Sequence, residues 1–205
     1  MSRDCKFTVK RHFSRAAGFT MVELIVVMVI MGILSLVAIE RFFDKATIEA
    51  REYADQARTV IRYAQKLAIA QNRAIYVNAN AGRFAVCTAS NCAAGSLVIS
   101  PAGANSGGSA TTAACVSGGS YVSTWMCEGQ PSSVSLTVPA GRGTEAGGAN
   151  SFFAFDAMGR PYNAVDSVPA IGSPASSTFT QLALTFSGSG VSYTITIEAE
   201  TGYVH

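Results

Sequence analysis

A single carboxylate, Glu23, interrupts an otherwise uncharged apolar run from Phe19 to Ile39. A charge in hydrocarbon costs about 2.5–3.5 kcal/mol near the middle of a spanning helix. An acid kept there needs a counter-ion. The natural one is a cation at the start of another copy of the same helix. Other side chains able to do chemistry are sparse. The two histidines are His12 and His205, so Ser/His and Cys/His dyads have little material. The acids Glu128, Glu145, Asp156, Asp166, Glu198 and Glu200 are scattered, as surface groups are, rather than set as a glycosidase pair. Gly141-Arg142-Gly143 lacks the lysine–serine of a phosphate loop and its strand-to-helix setting. The chain therefore reads as a non-enzyme with no cofactor and no metal site.

The segment Gly18-Phe19-Thr20-Met21-Val22-Glu23-Leu24 resembles the amino-terminal signature of type IV pilins and of the pseudopilins of type II secretion. That resemblance implies a cut by a prepilin peptidase between Gly18 and Phe19, and N-methylation of Phe19. It also implies pairing of Glu23 with the amino terminus of a neighbouring subunit. Gly32 matches a helix glycine common in the family, and Glu40 stands where many members carry proline. The signature spans about the first fifth of the chain and reports the assembly class.

Charge is unevenly placed. Residues 1–18 hold Arg3, Lys6, Lys10, Arg11 and Arg15 against Asp4, a balance of +4; ten basic and twelve acidic side chains follow, −2. A basic stretch before an apolar run fits a positive-inside orientation. Residues 1–18 are then a cytoplasmic leader, the anchor lies in the bacterial inner membrane as a single pass, and the carboxy-terminal domain is periplasmic before joining a pilus or pseudopilus. A secretory signal would be cut at small residues after its apolar core, but here the run passes straight into a helical pattern. A plain uncleaved anchor explains the run without explaining Glu23 or the Gly-Phe junction. From Ala74 onward only Arg83, Arg142 and Arg160 face six acids. That balance argues against a nucleic-acid partner.

Cys5 falls in the leader and leaves Cys87, Cys92, Cys115 and Cys127. An even number in an exported domain suggests two disulfides. Three connectivities are open, and nearness in sequence favours Cys87–Cys92 with Cys115–Cys127. Metal-binding thiols are disfavoured by the single remaining histidine and the lack of a C-x-x-C pair.

These groups need elements to position them. The run Phe19–Ile39 would be roughly 31 Å long as a helix, enough to cross a bilayer core. Beyond it, Tyr53, Ala57, Val60, Ile61, Ala64, Leu67 and Ala68 recur at spacings of three and four, one stripe of an amphipathic helix. We expect one long helix over 19–72, with 19–39 transmembrane and then filament core, and 40–72 amphipathic. An exported β-rich domain, 73–205, should follow. Its expected strands are Ala74–Asn78, Arg83–Cys87, Ser96–Ser100, Val134–Val138, Phe152–Phe155, Gln181–Phe186 and Ser192–Glu198, with a hairpin turn at 187–190. The stretches Ala102–Ala114 and Ala140–Asn150 read as surface loops. A helix followed by strands predicts an α+β fold, the helix laid on an antiparallel sheet.

Three further segments resemble the GspH/FimT-like minor pilins and pseudopilins: Phe155-Asp156-Ala157-Met158-Gly159 as an F-x-x-x-G element, Thr201-Gly202-Tyr203-Val204 as a closing T-G turn and strand, and the helix segment Val60–Ala70. The cysteines and long loops are also similar to the mannose-sensitive haemagglutinin pilus minor subunit, MshC-like. The implied function is a minor subunit that assembles through its first helix in a type IV pilus or type II secretion system. It would serve filament initiation, adhesion or protein secretion, with other pilin subunits and the prepilin peptidase as partners. An alternative is a DNA-binding FimT-like minor pilin for DNA uptake; the absence of Lys and Arg after Arg160 counts against it. Trp125 and Tyr121 read as core or loop anchors before they read as a contact patch.

Overall fold

The computed structural model describes residues 19–42, 44–80, 82–168 and 176–205, with the side chains of 36–42 outside the description. The leader, with Gly18 and Cys5, lies outside the described residues. The chain divides into two compact units, Met1–Phe43 and Asp44–His205.

The first unit contains α1, Met21–Phe42. In the second unit α2 spans Lys45–Gln71. The single helix expected over 19–72 is thus two helices. Asp44 is extended, at φ −71° and ψ 90°, and its Oδ1 accepts the Ala46 N–H at 3.2 Å. Aspartate bonds its own backbone more readily than it continues a helix, so it opens a new one. Asn72 closes α2 in the left-handed region, at φ 51°, a role asparagine shares with glycine. The buried stripe of α2 is Ala50, Tyr53, Ala54, Ala57, Val60, Ile61, Ala64 and Ala68. Five of these eight are alanines, which let the helix axis approach a sheet closely.

Ten strands follow. β1 Ile75–Asn78, β2 Arg83–Cys87, β5 Cys127–Gly129, β7 Phe152–Phe155 and β8 Pro161–Tyr162 form one sheet in the order β5-β2-β1-β7-β8. β6 Ser135–Thr137, β9 Leu182–Gly188 and β10 Val191–Ile197 form a second, in the order β10-β9-β6. A two-strand ribbon joins β3 Val116–Ser117 to β4 Ser120–Tyr121, and all pairings are antiparallel. The fold is α+β: α2 packs on both antiparallel sheets, and the Tyr53 ring lies 6.0 Å from Phe84 of one and 5.5 Å from Phe186 of the other.

The β9–β10 hairpin turns on Ser189 and Gly190, both at positive φ (48° and 81°), as a two-residue turn matched to strand twist requires. Its turn end docks at the start of α2. A Cβ on Gly188 would sit 2.2 Å from the Ala46 carbonyl oxygen, so only glycine fits this approach. Ser189 Oγ donates to Asp44 Oδ1 at 2.8 Å.

Two expectations fail in the region between β2 and β5. Ser96–Ser100 is no strand: a 3₁₀ turn occupies Ala94–Ser96, and single bridges join Cys87 to Leu97 and Ile99 to Trp125. The segment wedges in where β2 and β5 part, Val98 N–H donating to Val86 O at 3.2 Å and Met126 N–H to Val98 O at 2.8 Å. Part of Ala102–Ala114 is also no loop, because Ser109–Ala114 forms a short helix, α3. Glu128 holds it: Oε2 accepts the Thr111 hydroxyl at 3.0 Å, and Oε1 accepts the Ser106 N–H at 2.9 Å. That long-range anchor is invisible in a run of serines, alanines and threonines.

Candidate functional site

Thr20 opens α1. Its hydroxyl accepts the Glu23 N–H at 3.2 Å, and its carbonyl accepts the Leu24 N–H at 3.2 Å. Thr20-x-x-Glu23 is therefore a helix-start signal, with the acid in the first turn where the helix dipole favours it. That spacing stood in the sequence and was missed, because Glu23 reads first as an intruder in an apolar run.

Phe19 lies just ahead of the helix and Glu23 within its first turn. Glu23 is exposed and has no ion-pair partner among the described residues. Every described side chain from 19 to 35 is exposed. Phe19 is 79% exposed, and mid-helix Met28 is still 67% exposed. A continuous apolar surface of this kind marks a site where something else covers it. Further along α1 the Ser35 hydroxyl is satisfied internally, donating to Met31 O at 2.7 Å. A Cβ on Gly32 would meet nothing within 4 Å, so that face is open to a close neighbour. Among the described residues no helix is long and apolar enough to cross a membrane. The described side chains of α1 end at residue 35, fifteen residues in, where a span needs about 20.

The four cysteines of the second unit form Cys87–Cys92 and Cys115–Cys127. Both disulfides pack with Ala85 and Trp125 in a small second core, flanked by Leu97 and Val122. Phe84, Val86 and Met126 alternate with these residues and point into the main core under α2. Trp125 is 1% exposed and its indole N–H donates to Val86 O at 2.9 Å, a loop anchor rather than a contact patch. Tyr121 is half-exposed and its hydroxyl donates to Asn105 Oδ1.

Each of the scattered acids has a partner within the unit. Asp156 Oδ1 accepts the N–H groups of Met158 and Arg160 at 2.8 and 2.9 Å, which bends the F-x-x-x-G element. Asp166 accepts from Asn163 N–H and Thr178 N–H; burial raises its pKa, but the bonds from Thr178 and Asn163 outweigh that and hold it below the ordinary value. Glu198 is bonded to His205 at 3.0 Å, Glu200 lies 3.8 Å from Arg160, and Glu145 lies 3.9 Å from Arg142. Gln65 of α2 joins two of the segments singled out in sequence: its side-chain amide donates to Gly159 O at 3.0 Å and Thr201 O at 2.8 Å. Gly202, at φ 63°, passes so close to Gly159 that a Cβ would lie 2.4 Å from its carbonyl oxygen.

Residues 13–39 match the family model for the prokaryotic N-terminal methylation motif. The amino terminus carries an N-terminal methylation motif. The motif covers Phe19, Glu23 and α1 as far as residue 39. No curated protein matches the sequence. Among solved structures, the Pseudomonas aeruginosa type IV minor pilin FimU is similar at 13% identity, over 79% of this chain and 87% of that one, with a TM-score of 0.41. A second crystal form of FimU gives 13% identity, 78% and 90% coverage, and a TM-score of 0.39.

Proposed function

We propose that the chain is a minor pilin or pseudopilin, assembling through α1 into a filament of the type IV pilus and type II secretion class. The observation that carries this is the methylation motif over 13–39, lying on a helix whose described side chains are all exposed and whose apolar run holds one acid. Cleavage after Gly18 frees the Phe19 amino group, which is then methylated. Residues 19–39 hold the subunit in the inner membrane and afterwards pack with other subunit helices in the fibre. In that dry setting Glu23 finds the Phe19 ammonium of a neighbour. An uncompensated charge there is heavily penalised, so the pair selects one axial offset between helices. The unit from Asp44 onward faces the periplasm and then the fibre surface, where it serves filament initiation, adhesion or secretion. Its two disulfides suit an oxidising compartment.

A filament role is favoured over DNA uptake by how the arginines of the β-rich part are used. Arg83 donates to Ala114 O at 2.8 Å, Arg142 to Thr180 Oγ1 and O at 2.8 Å each, and Arg160 faces Glu200. Each has a partner within the unit, and no Lys or Arg follows Arg160 in the chain.

Glu23→Ala tests the reading. The variant should insert in the membrane and be cut to begin at Phe19, by mass spectrometry of the mature chain, yet enter filaments at least tenfold less. Wild-type incorporation would refute the register role of Glu23; a mature chain beginning elsewhere would refute the assembly class.

A further inference from the structure

The outer edge of β10 is only half covered. On its inner side the strand pairs with β9 from Val191 to Ile197. On its outer side Thr196 N–H donates to His205 O at 2.9 Å, His205 N–H donates to Thr196 O at 3.0 Å, and Val204 sits opposite Ile197. Antiparallel bonding alternates with period two. Ser192 and Thr194 therefore turn their N–H and C=O groups to the same outer side as Thr196, and neither meets a backbone partner there among the described residues. Their hydroxyls bond across to Ser187 and Thr185, at 2.8 and 3.1 Å, and leave the edge clear.

The open stretch lies beside α2. The start of β10 is near Ala46, through Gly188, and its end is near Arg62, through Val204, so strand and helix run the same way. Between them is a groove of about 410 Å³ lined by Thr47, Ile48, Arg51, Glu52, Asp55 and Tyr193. Free strand edges invite pairing, and folds usually blunt them. Here β8 begins with Pro161, β6 is three residues long between Pro131 and Pro139, and β5 lies under α3, with Gly129 against Ala110 O. The open part of β10 has no proline or charge.

We propose that this edge accepts an extended segment of another polypeptide as an added antiparallel strand, one apolar side chain entering the groove. The chain already shows the mode on the adjoining stretch of the same edge. Val204 is 1% exposed, and its carbonyl accepts from Arg62 Nε and Nη2 at 3.0 and 2.6 Å. Arg51 lies eleven residues earlier, about three turns along the same helix face, and has no partner among the described residues. It is placed to hold a carbonyl or carboxylate of the incoming strand as Arg62 holds that of Val204. Ile48, 47% exposed, and Tyr193 supply the apolar lining. Backbone pairing then gives affinity, and the groove gives preference for side chains at alternate positions. This site draws only on the Asp44–His205 unit and is independent of the assembly reading.

The test uses the full-length protein in detergent and a fluorescein-labelled peptide, Thr-Val-Thr-Val-Thr-Val with blocked ends. Saturable binding by fluorescence anisotropy is expected, with amide exchange across 191–195 slowed at least tenfold. Thr194→Pro removes an N–H that makes no bond in the free protein, together with the hydroxyl bonded to Thr185, and should weaken binding at least tenfold in a protein that still folds by circular dichroism. The same peptide N-methylated at every amide leaves the protein untouched and should not bind, which decides the matter should Thr194→Pro fail to fold. Absence of binding at millimolar peptide, equal binding of the methylated peptide, or protection elsewhere overturns the proposal. Concentration-dependent protection of 191–195 without peptide would overturn it too, assigning the edge to a second copy.

Discussion

Replacing Tyr53 by phenylalanine should make the Asp44–His205 unit more stable. Tyr53 is 0% exposed, and its hydroxyl oxygen has no hydrogen bond among the described residues. Loss of solvent pushes its phenol pKa up, and the Glu128 charge adds to the shift. A polar group buried without a partner costs about 1–3 kcal/mol. Phenylalanine keeps the ring and its edge-to-face approach to Phe186, and removes only the oxygen. The void left is one atom in size, worth a few tenths at ~24 cal/mol per Å³. The net gain should be about 1–2 kcal/mol, a rise in Tm of roughly 2–8 °C for a unit of this size. Trp125 lies outside the Tyr53 cluster, so its fluorescence gives an independent melting signal in the full-length protein, beside near-ultraviolet circular dichroism. A lower Tm for Tyr53→Phe would refute the reasoning and show that the hydroxyl holds a partner.

Loop closure ranks the disulfides: at a separation of 12 residues, serine replacement of Cys115 and Cys127 should cost about 3 kcal/mol, and at a separation of 5, replacement of Cys87 and Cys92 about 2. Urea titration of the two double variants checks the order, and a reversal would mean that packing around Trp125 outweighs chain entropy. The Ser189 hydroxyl, the largest influence, holds the Asp44 carboxyl below its ordinary 3.8. A lowered carboxylate pKa stabilises above the unfolded value and is lost as pH falls through the folded one. Melting temperatures followed from pH 6 to pH 2.5 should therefore drop more steeply below about pH 4 in the wild type than in Asp44→Asn, and equal slopes would refute the link.

Much of this was legible in sequence where one periodicity dominated. The stripe Tyr53–Ala57–Val60–Ile61–Ala64–Ala68 is buried on α2, and the alternation in Leu182–Leu184–Phe186 faces the core. The break at Asp44 is not legible because the surrounding pattern stays helical on both sides and a single capping acid leaves no mark on it. Strands of two or three residues, such as β8 and β5, carry too few alternations to register. In α3 a non-local carboxylate, Glu128, decides what local composition leaves open. At the amino terminus the motif was plain, yet the cap made by Thr20 was hidden behind the expectation of an intersubunit role for Glu23. The groove beside β10 could not be foreseen, since it depends on where β10 lies along α2.

Trp125 and the two cystines fill the side of β2 and β5 turned away from α2. Changes confined to residues that meet only this second core, such as Leu97 and Val122, should leave the seat of α2 undisturbed, whereas Val98 and Met126 of the same stretch reach through to the main core.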